Sequence, residues 1–400
     1  MDHASRRYLR ILFGIAAAVI LPVLVLNLLL GERSLGSPEV TEEASRWQQR
    51  TRGVTYPPPM NKTRPFKTLR LIDRLPEINA VIFGASSSMS ITQEMFPPDI
   101  RIYSFTSVAN QTAWLLAEAE YVQRHFGDRV RHYFLSLDWS VGMIYLPTVP
   151  PELELTREAA LSPDRRGEAP LHKRLEDALS VPRLKSLLQA LRYVARAPDR
   201  IAAFRGVFLQ SGGEEYRCPD GTVARDFDVV RRGYCVGYRH DGSWTFGDQK
   251  YLTPAHVAVL AQAAAAPSSK YAEWLLKSGG IPNPVYLQRF SALNRAIRQS
   301  GGRAVYYMPA LIPGMQEIFL ASPQLGPKLR ETMAILDDWA RRDGVVIVDM
   351  GPSERYGCLA QEFLDEHHAY PGCFARILER FRAEDAAGRV APGIWRPERG

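Results

Sequence analysis

Residues 80–91 read AVIFGASSSMSI. An apolar run of strand length breaks on Gly84, and a Gly-Ala-Ser turn at that point lifts a serine side chain clear of the sheet edge. A serine hydroxyl is a poor nucleophile until a base takes its proton. Ser86, Ser87 and Ser88 therefore point to chemistry only if a histidine, itself oriented by a carboxylate, meets them. Of the eight histidines, two stand together in FLDEHHAYPG, residues 363–372, with Asp365 three positions before His368. On a turn or a first helical turn that spacing puts both side chains on one face, where the carboxylate holds the imidazole in one tautomer. His367 reads as a neighbouring surface or packing residue, and Ser87 and Ser88 as turn residues. His125, His132, His172, His240 and His256 show no ligand-like pairing, so neither a metal centre nor a cofactor is expected.

The elements that must position these residues alternate. AVIFG reads as a strand, SITQEMF as a short helix and IRIYSF as a second strand; QTAWLLAEAEYVQRHF has helical spacing and HYFLSLDW is a third strand. The pattern lapses over 150–270, a charged segment that includes the helical stretch LEDALSVPRLKSLLQALRYVAR and reads as an insertion or lid. It resumes with the helix PVYLQRFSALNRAIRQS, the strand AVYYMPAL, the helix GPKLRETMAILDDWARR, the strand VVIVDM and a last helix after the histidine pair. Strands separated by helices argue for a parallel sheet with crossover connections. The expected organisation is one α/β domain in two halves, 80–149 and 271–385, interrupted by the insertion. The polar, turn-rich segment 31–79 reads as a stalk and linker, and 386–400 as a C-terminal tail.

The chain has 400 residues, 46% hydrophobic and 23% charged, which excludes a disordered protein. Its net charge of +7 comes from scattered arginines, with neither an aromatic-interleaved basic helix nor zinc-finger spacing, so nucleic acid is not an expected partner. The uncharged run 11–30, ILFGIAAAVILPVLVLNLLL, is long enough to cross a bilayer as one transmembrane helix. Arg6, Arg7 and Arg10 before it place residues 1–10 in the cytoplasm and send the rest across. A cleaved signal peptide is the alternative, but the run ends NLLLGERS and has no small-residue cleavage site. In an oxidising compartment the simplest pairing of the four cysteines is two local disulfides, Cys218 with Cys235 and Cys358 with Cys373; sequence alone allows three connectivities.

Gly84-Ala85-Ser86 directly after the first strand, and Asp365-Glu366-His367-His368 near the C-terminus, resemble the first and last motifs of the SGNH or GDSL hydrolase superfamily. The similarity is closer to its bacterial membrane-anchored branch, which includes periplasmic enzymes of polysaccharide O-acetylation. It covers about residues 80–145 and 301–381. The resemblance implies a three-layer flavodoxin-like sheet with Ser86 as nucleophile, His368 as base and Asp365 as orienter. It also implies an oxyanion hole built from the Ser86 N–H, a second-block glycine N–H and a third-block asparagine. Here Ala109 occupies the glycine position, with Asn110 beside it, and Asp138, followed by Trp139, stands where the asparagine would be. An ionised carboxylate cannot donate to an oxyanion, so Asn110 is the expected donor, while Asp138 and Trp139 are substrate-site candidates. The implied function is a serine acyltransferase or esterase, O-acetyltransferase or acetylesterase, acting on an envelope or exported polysaccharide. The implied setting is the bacterial inner membrane, with the domain in the periplasm or outside the cell and a multi-span membrane protein as acyl donor. The alternative is a noncatalytic protein of the same fold that binds or guides a glycan.

Overall fold

A computed structural model of the chain describes residues 38–56, 63–108, 110–138, 153–161, 213–227, 233–246, 252–266 and 282–397, with scattered residues between them and near the N-terminus. The first elements used below are α1 (Pro38–Thr51), β1 (Val54–Tyr56), α2 (Arg64–Arg74), β2 (Ala80–Gly84), β3 (Ile102–Thr106), α3 (Thr112–Phe126) and β4 (His132–Ser136). Next come β5 (Tyr216–Arg217), β6 (Val223–Asp226), β7 (Val236–Tyr238), β8 (Trp244–Phe246), α4 (Pro254–Ala265), α5 (Pro284–Gln299) and β9 (Arg303–Met308). The last are α6 (Met315–Ala321), α7 (Leu325–Asp343), β10 (Val346–Asp349), α8 (Pro371–Ala386) and β11 (Gly393–Trp395). The chain divides into two compact units, residues 1–69 with 157–237, and residues 70–156 with 238–400.

In the first unit β1 runs parallel to β6, with Val54 opposite Ala224, and β5 is antiparallel to β6. The expectation of a stalk over 31–79 is corrected here. Val40, Ala44 and Trp47 are buried at helical spacing along α1, and β1 is buried throughout. The polar average of the segment hides this apolar period. Trp47 Nε1 donates to Glu215 at 2.6 Å, and Cys218 is bonded to Cys235. In the expected insertion, residues 191–196 at the end of the helical stretch are helix, the described part between 213 and 246 forms short strands, and 238–246 and 254–265 belong to the second unit. Among the described residues no helix is long and apolar enough to cross a membrane. Nearly half of the expected anchor, 11–30, lies outside the described residues, as does all of 162–187.

The second unit is an α/β structure built on a six-stranded sheet in the order β3-β2-β4-β9-β10-β11. Every pair is parallel. A parallel sheet is buried on both faces, which is why β2, β3 and β10 are near-continuous apolar runs without exposed positions. Alternate side chains face opposite sides. Tyr306 packs edge-on against Phe290 of α5 and Trp339 of α7. Its neighbour Tyr307 joins Ile82, Phe134 and Val348 on the other side, where Leu378 and Phe381 of α8 meet them. Helices therefore cover both faces. Asn283 caps α5 by accepting from the Val285 N–H with Pro284 following, and Gly344 ends α7 in the left-handed conformation that costs a glycine nothing.

Two smaller expectations change. SITQEMF forms only a 3-10 turn, Gln93–Met95, because the Gln93 side chain bonds to Ile100 O and Ile102 N and pulls the chain directly into β3. The supposed tail adds β11 to the sheet, with Ile394 opposite Ile347 and Trp395 packed on Phe381.

Strand order reverses direction at β2, which lies between β3 and β4. At such a switch point the loops leaving neighbouring strands diverge and open a crevice at the carboxyl ends. Gly84 closes β2 there, where a Cβ would fall 2.7 Å from Tyr307 Oη and closer still to Ser88 Oγ. Both are buried, so Gly84→Ala is expected to destabilise the protein by about 1–3 kcal/mol through overpacking. Urea denaturation measures it, and an unchanged midpoint would contradict the tight packing.

Candidate active site

The chain leaves β2 into a 3-10 turn, Ser86–Ser88, whose first internal bond is from Ser88 N to Ala85 O. Ser87 and Ser88 are buried, and Ser88 Oγ is spent on Ala85 O at 3.0 Å. Only Ser86 of the three is partly exposed. The N–H groups of Ser86 and Ser87 precede the first bond of the turn, as the leading donors of any helical turn do.

The histidine loop is a tight hairpin between the 3-10 turn Ala360–Glu362 and α8. A bridge pairs Phe363 with Ala369, and Leu364 N donates to His368 O at 2.9 Å. Asp365 Oδ1 accepts from the backbone N–H of His367 at 3.1 Å and of His368 at 3.0 Å, the Asx turn an aspartate makes two and three residues ahead of itself. Three ties fix the loop in place. Ser90 Oγ donates to Ala369 O at 2.6 Å, Ile312 N donates to Glu366 O at 3.0 Å, and Cys358 is bonded to Cys373. That bridge closes a loop of 15 residues around the histidines, worth about 3 kcal/mol in the chain-entropy description.

These ties bring Ser86, His368 and Asp365 into one line. His368 Nε2 lies 2.9 Å from Ser86 Oγ, and His368 Nδ1 lies 2.8 and 2.7 Å from the two Asp365 oxygens. The carboxylate accepts the Nδ1 proton, leaving Nε2 as the acceptor facing the serine. Burial alone would raise the Asp365 carboxyl. The hydrogen bond and charge of His368, the charge of His367 and the His367 N–H outweigh it and hold the group well below its ordinary 3.8.

The flanks of the His368 ring come from places the sequence did not mark. Phe246, at the end of β8, stands edge-on 6.4 Å from His368 and 5.7 Å from Tyr370. The His367 ring lies 4.2 Å from His368 on a centroid measure, and Tyr271 Oη is 2.6 Å from His367 Nδ1. Tyr307 Oη donates to Phe83 O at 3.2 Å under the serine turn. Phe246 inside the expected insertion, and Tyr271 just after it, are isolated aromatics that carry no spacing signal. Ser90, four residues beyond Ser86 in the same serine-rich stretch, was the one visible in the sequence.

Asn110, the expected oxyanion donor, is buried with Nδ2 bonded to Glu118 Oε2 at 2.9 Å and reaching Gly84 O at 3.4 Å. It braces the end of β2 rather than offering its amide to a bound oxyanion. Asp138 follows β4 on the neighbouring strand, and its charge helps to raise the Tyr271 and Tyr307 phenols. Ala109 and Trp139 lie outside the described residues. Ligand-type atoms of Asp365, His367 and His368 gather within 4.8 Å. Both His368 nitrogens and the Asp365 carboxylate are committed to the hydrogen-bonded line, so the group reads as that line rather than as a metal centre.

No family model and no curated protein matches the sequence. The chemistry is therefore argued from the geometry.

Because the folded Asp365 carboxyl sits below its unfolded value, it stabilises the fold fully above that value and loses this contribution as pH falls through the folded one. The stability advantage of wild type over Asp365→Asn is expected to be largest near neutrality and to shrink below about pH 4. Urea unfolding of both proteins at pH 7 and pH 3 checks it; a constant or inverted difference would contradict the assignment.

Proposed function

We propose that this chain is a serine-dependent acyl-transferring enzyme of the SGNH hydrolase type, with a flavodoxin-like fold, acting on a carbohydrate ester at the cell envelope. The observation that carries the reading is the continuous line Ser86 Oγ, His368 Nε2, His368 Nδ1 and Asp365, set at the switch point of a parallel sheet. In the first half-reaction Ser86 Oγ attacks the acyl carbonyl carbon while its proton passes to His368 Nε2. The tetrahedral oxyanion collapses, and the sugar or donor oxygen leaves with that proton. In the second half, water or an acceptor hydroxyl gives its proton to His368 and attacks the acyl-serine, and as the tetrahedral oxyanion collapses His368 returns that proton to the departing Ser86 Oγ. With Asn110 committed to Glu118, the donors best placed for the oxyanion are the N–H groups of Ser86 and Ser87 at the open start of the turn.

The two disulfides support an oxidising, extracytoplasmic setting. The apolar run 11–30, with Arg6, Arg7 and Arg10 before it, supports a single-pass anchor in a bacterial inner membrane. Acetyl is the acyl group the resemblance favours, and a donor on the outer side implies a multi-span membrane protein as partner. Transferase and esterase share the first half-reaction and differ in whether a sugar hydroxyl or water completes the second.

A noncatalytic, glycan-guiding role is the second reading, favoured by one observation: the asparagine expected to serve the oxyanion is turned into the fold. A serine-directed fluorophosphonate probe separates the two. Labelling confined to Ser86, abolished in Ser86→Ala and His368→Ala, is the expected result, together with a loss of ester turnover of about 10³-fold or more in either variant and little further loss in the double variant. Absence of labelling in folded wild type, or equal turnover of acetyl esters by Ser86→Ala, would overturn the enzymatic reading.

A further inference from the structure

His367 was expected to be a bystander. The structure surrounds it with a specific set of groups. Its ring lies against the His368 ring at 4.2 Å between centroids and 38° between planes. Its Nδ1 meets the Tyr271 hydroxyl at 2.6 Å and stands 3.8 Å from Asp365 Oδ1. Tyr271 is buried, and its ring also packs on Phe319 of α6.

We propose that His367 and Tyr271 are positioning residues for the acyl transfer: Tyr271 donates to His367 Nδ1, holding the His367 ring neutral and packed at a tilt against the base His368. The inference rests on the reading of Ser86, His368 and Asp365 given above. His368 becomes positive each time it takes a proton from Ser86 or from the acceptor. A second positive ring in contact would oppose that step, because like charges so close disfavour the charged form. A neutral ring instead offers a polarisable wall that limits rotation of His368 away from Ser86.

The direction of the hydrogen bond follows from the surroundings. Burial pushes the Tyr271 phenol up, and Glu366, Asp365 and Asp138 push it further, so the phenol keeps its proton and has it to donate to an unprotonated Nδ1. Among the described residues, the groups acting on the pair include Asp365, Glu366 and His368 from the histidine loop and Asp138 after β4. Asp365 draws a proton toward His367, whereas the Tyr271 hydrogen bond occupies the nitrogen that would take it. Removing the hydroxyl leaves the attraction of Asp365 unopposed.

The test uses the full chain with nitrogen-15-labelled histidine, in wild type, Tyr271→Phe and His367→Gln. Long-range proton–nitrogen spectra of wild type are expected to show His367 Nδ1 unprotonated near neutral pH, and Tyr271→Phe to raise the pH at which His367 charges by roughly one unit. In the same variants the acidic limb of kcat/KM for a nitrophenyl ester is expected to move upward for Tyr271→Phe. In Tyr271→Phe/His367→Gln it should return to the position of His367→Gln. A proton on Nδ1 in neutral wild-type His367, or an unchanged titration in folded Tyr271→Phe, would overturn the proposal. The spectra report on the pair whether or not the chain turns over esters, so loss of the enzymatic reading and loss of this one are distinguishable. Should Tyr271→Phe fail to fold, the wild-type tautomer alone decides.

Discussion

The site of the second unit depends on one contact: Ser86 Oγ and His368 Nε2 stand 2.9 Å apart although 282 positions separate them in the chain. A displacement of about 1 Å would break that hydrogen bond and the proton path with it. Each end of the contact is accordingly held by several ties. The serine sits on the first turn after a strand that is buried on both faces and paired on both edges. The histidine sits in a hairpin pinned by a disulfide, a strand-like bridge and hydrogen bonds from Ser90 and Ile312. Ser90 is the most economical of these ties, since it belongs to the segment that leaves the Ser86 turn and holds the histidine loop directly.

The electrostatics have the same economy. Two histidines share a small space with Asp365, Glu366 and, through Tyr271, Asp138. The Asp365 carboxylate, hydrogen-bonded to His368 Nδ1, stays ionised because its own protonation is suppressed. The two neighbouring rings nonetheless differ in what they meet. The asymmetry between the two is made by their partners: a carboxylate on one Nδ1, a phenol on the other.

The organisation of the chain also reads differently in space. Residues expected to form a stalk supply α1 and β1, which associate with strands from the expected insertion. The later part of that insertion contributes Phe246 and α4 to the unit that holds the site, and Tyr271 follows directly after it. The alternation of strands and helices was readable because each strand is an apolar block and each long helix has an apolar period. What escaped the sequence were elements whose apolar positions are few and widely spaced, such as α1, or very short, such as β11 and β8. In these, burial is decided by a partner far away in the chain, and local composition does not report it.

The sequence by itself determined the parallel α/β character of the second unit, made local pairing the simplest arrangement of its cysteines and singled out Ser86, His368 and Asp365 as candidates. These depend on short-range order: apolar blocks, a glycine at a strand end, and a carboxylate three residues from a histidine. Only the tertiary structure decided that Asn110 turns to Glu118, that Phe246 and Tyr271 flank the histidines, and that His367 has a partner of its own. Side chains brought together from separate segments leave no periodic trace in the sequence, since their distance is set by how strands order in the sheet and how loops close over its edge. The spacing of residues along the chain names the reactive groups; the folded geometry selects which neighbours tune them.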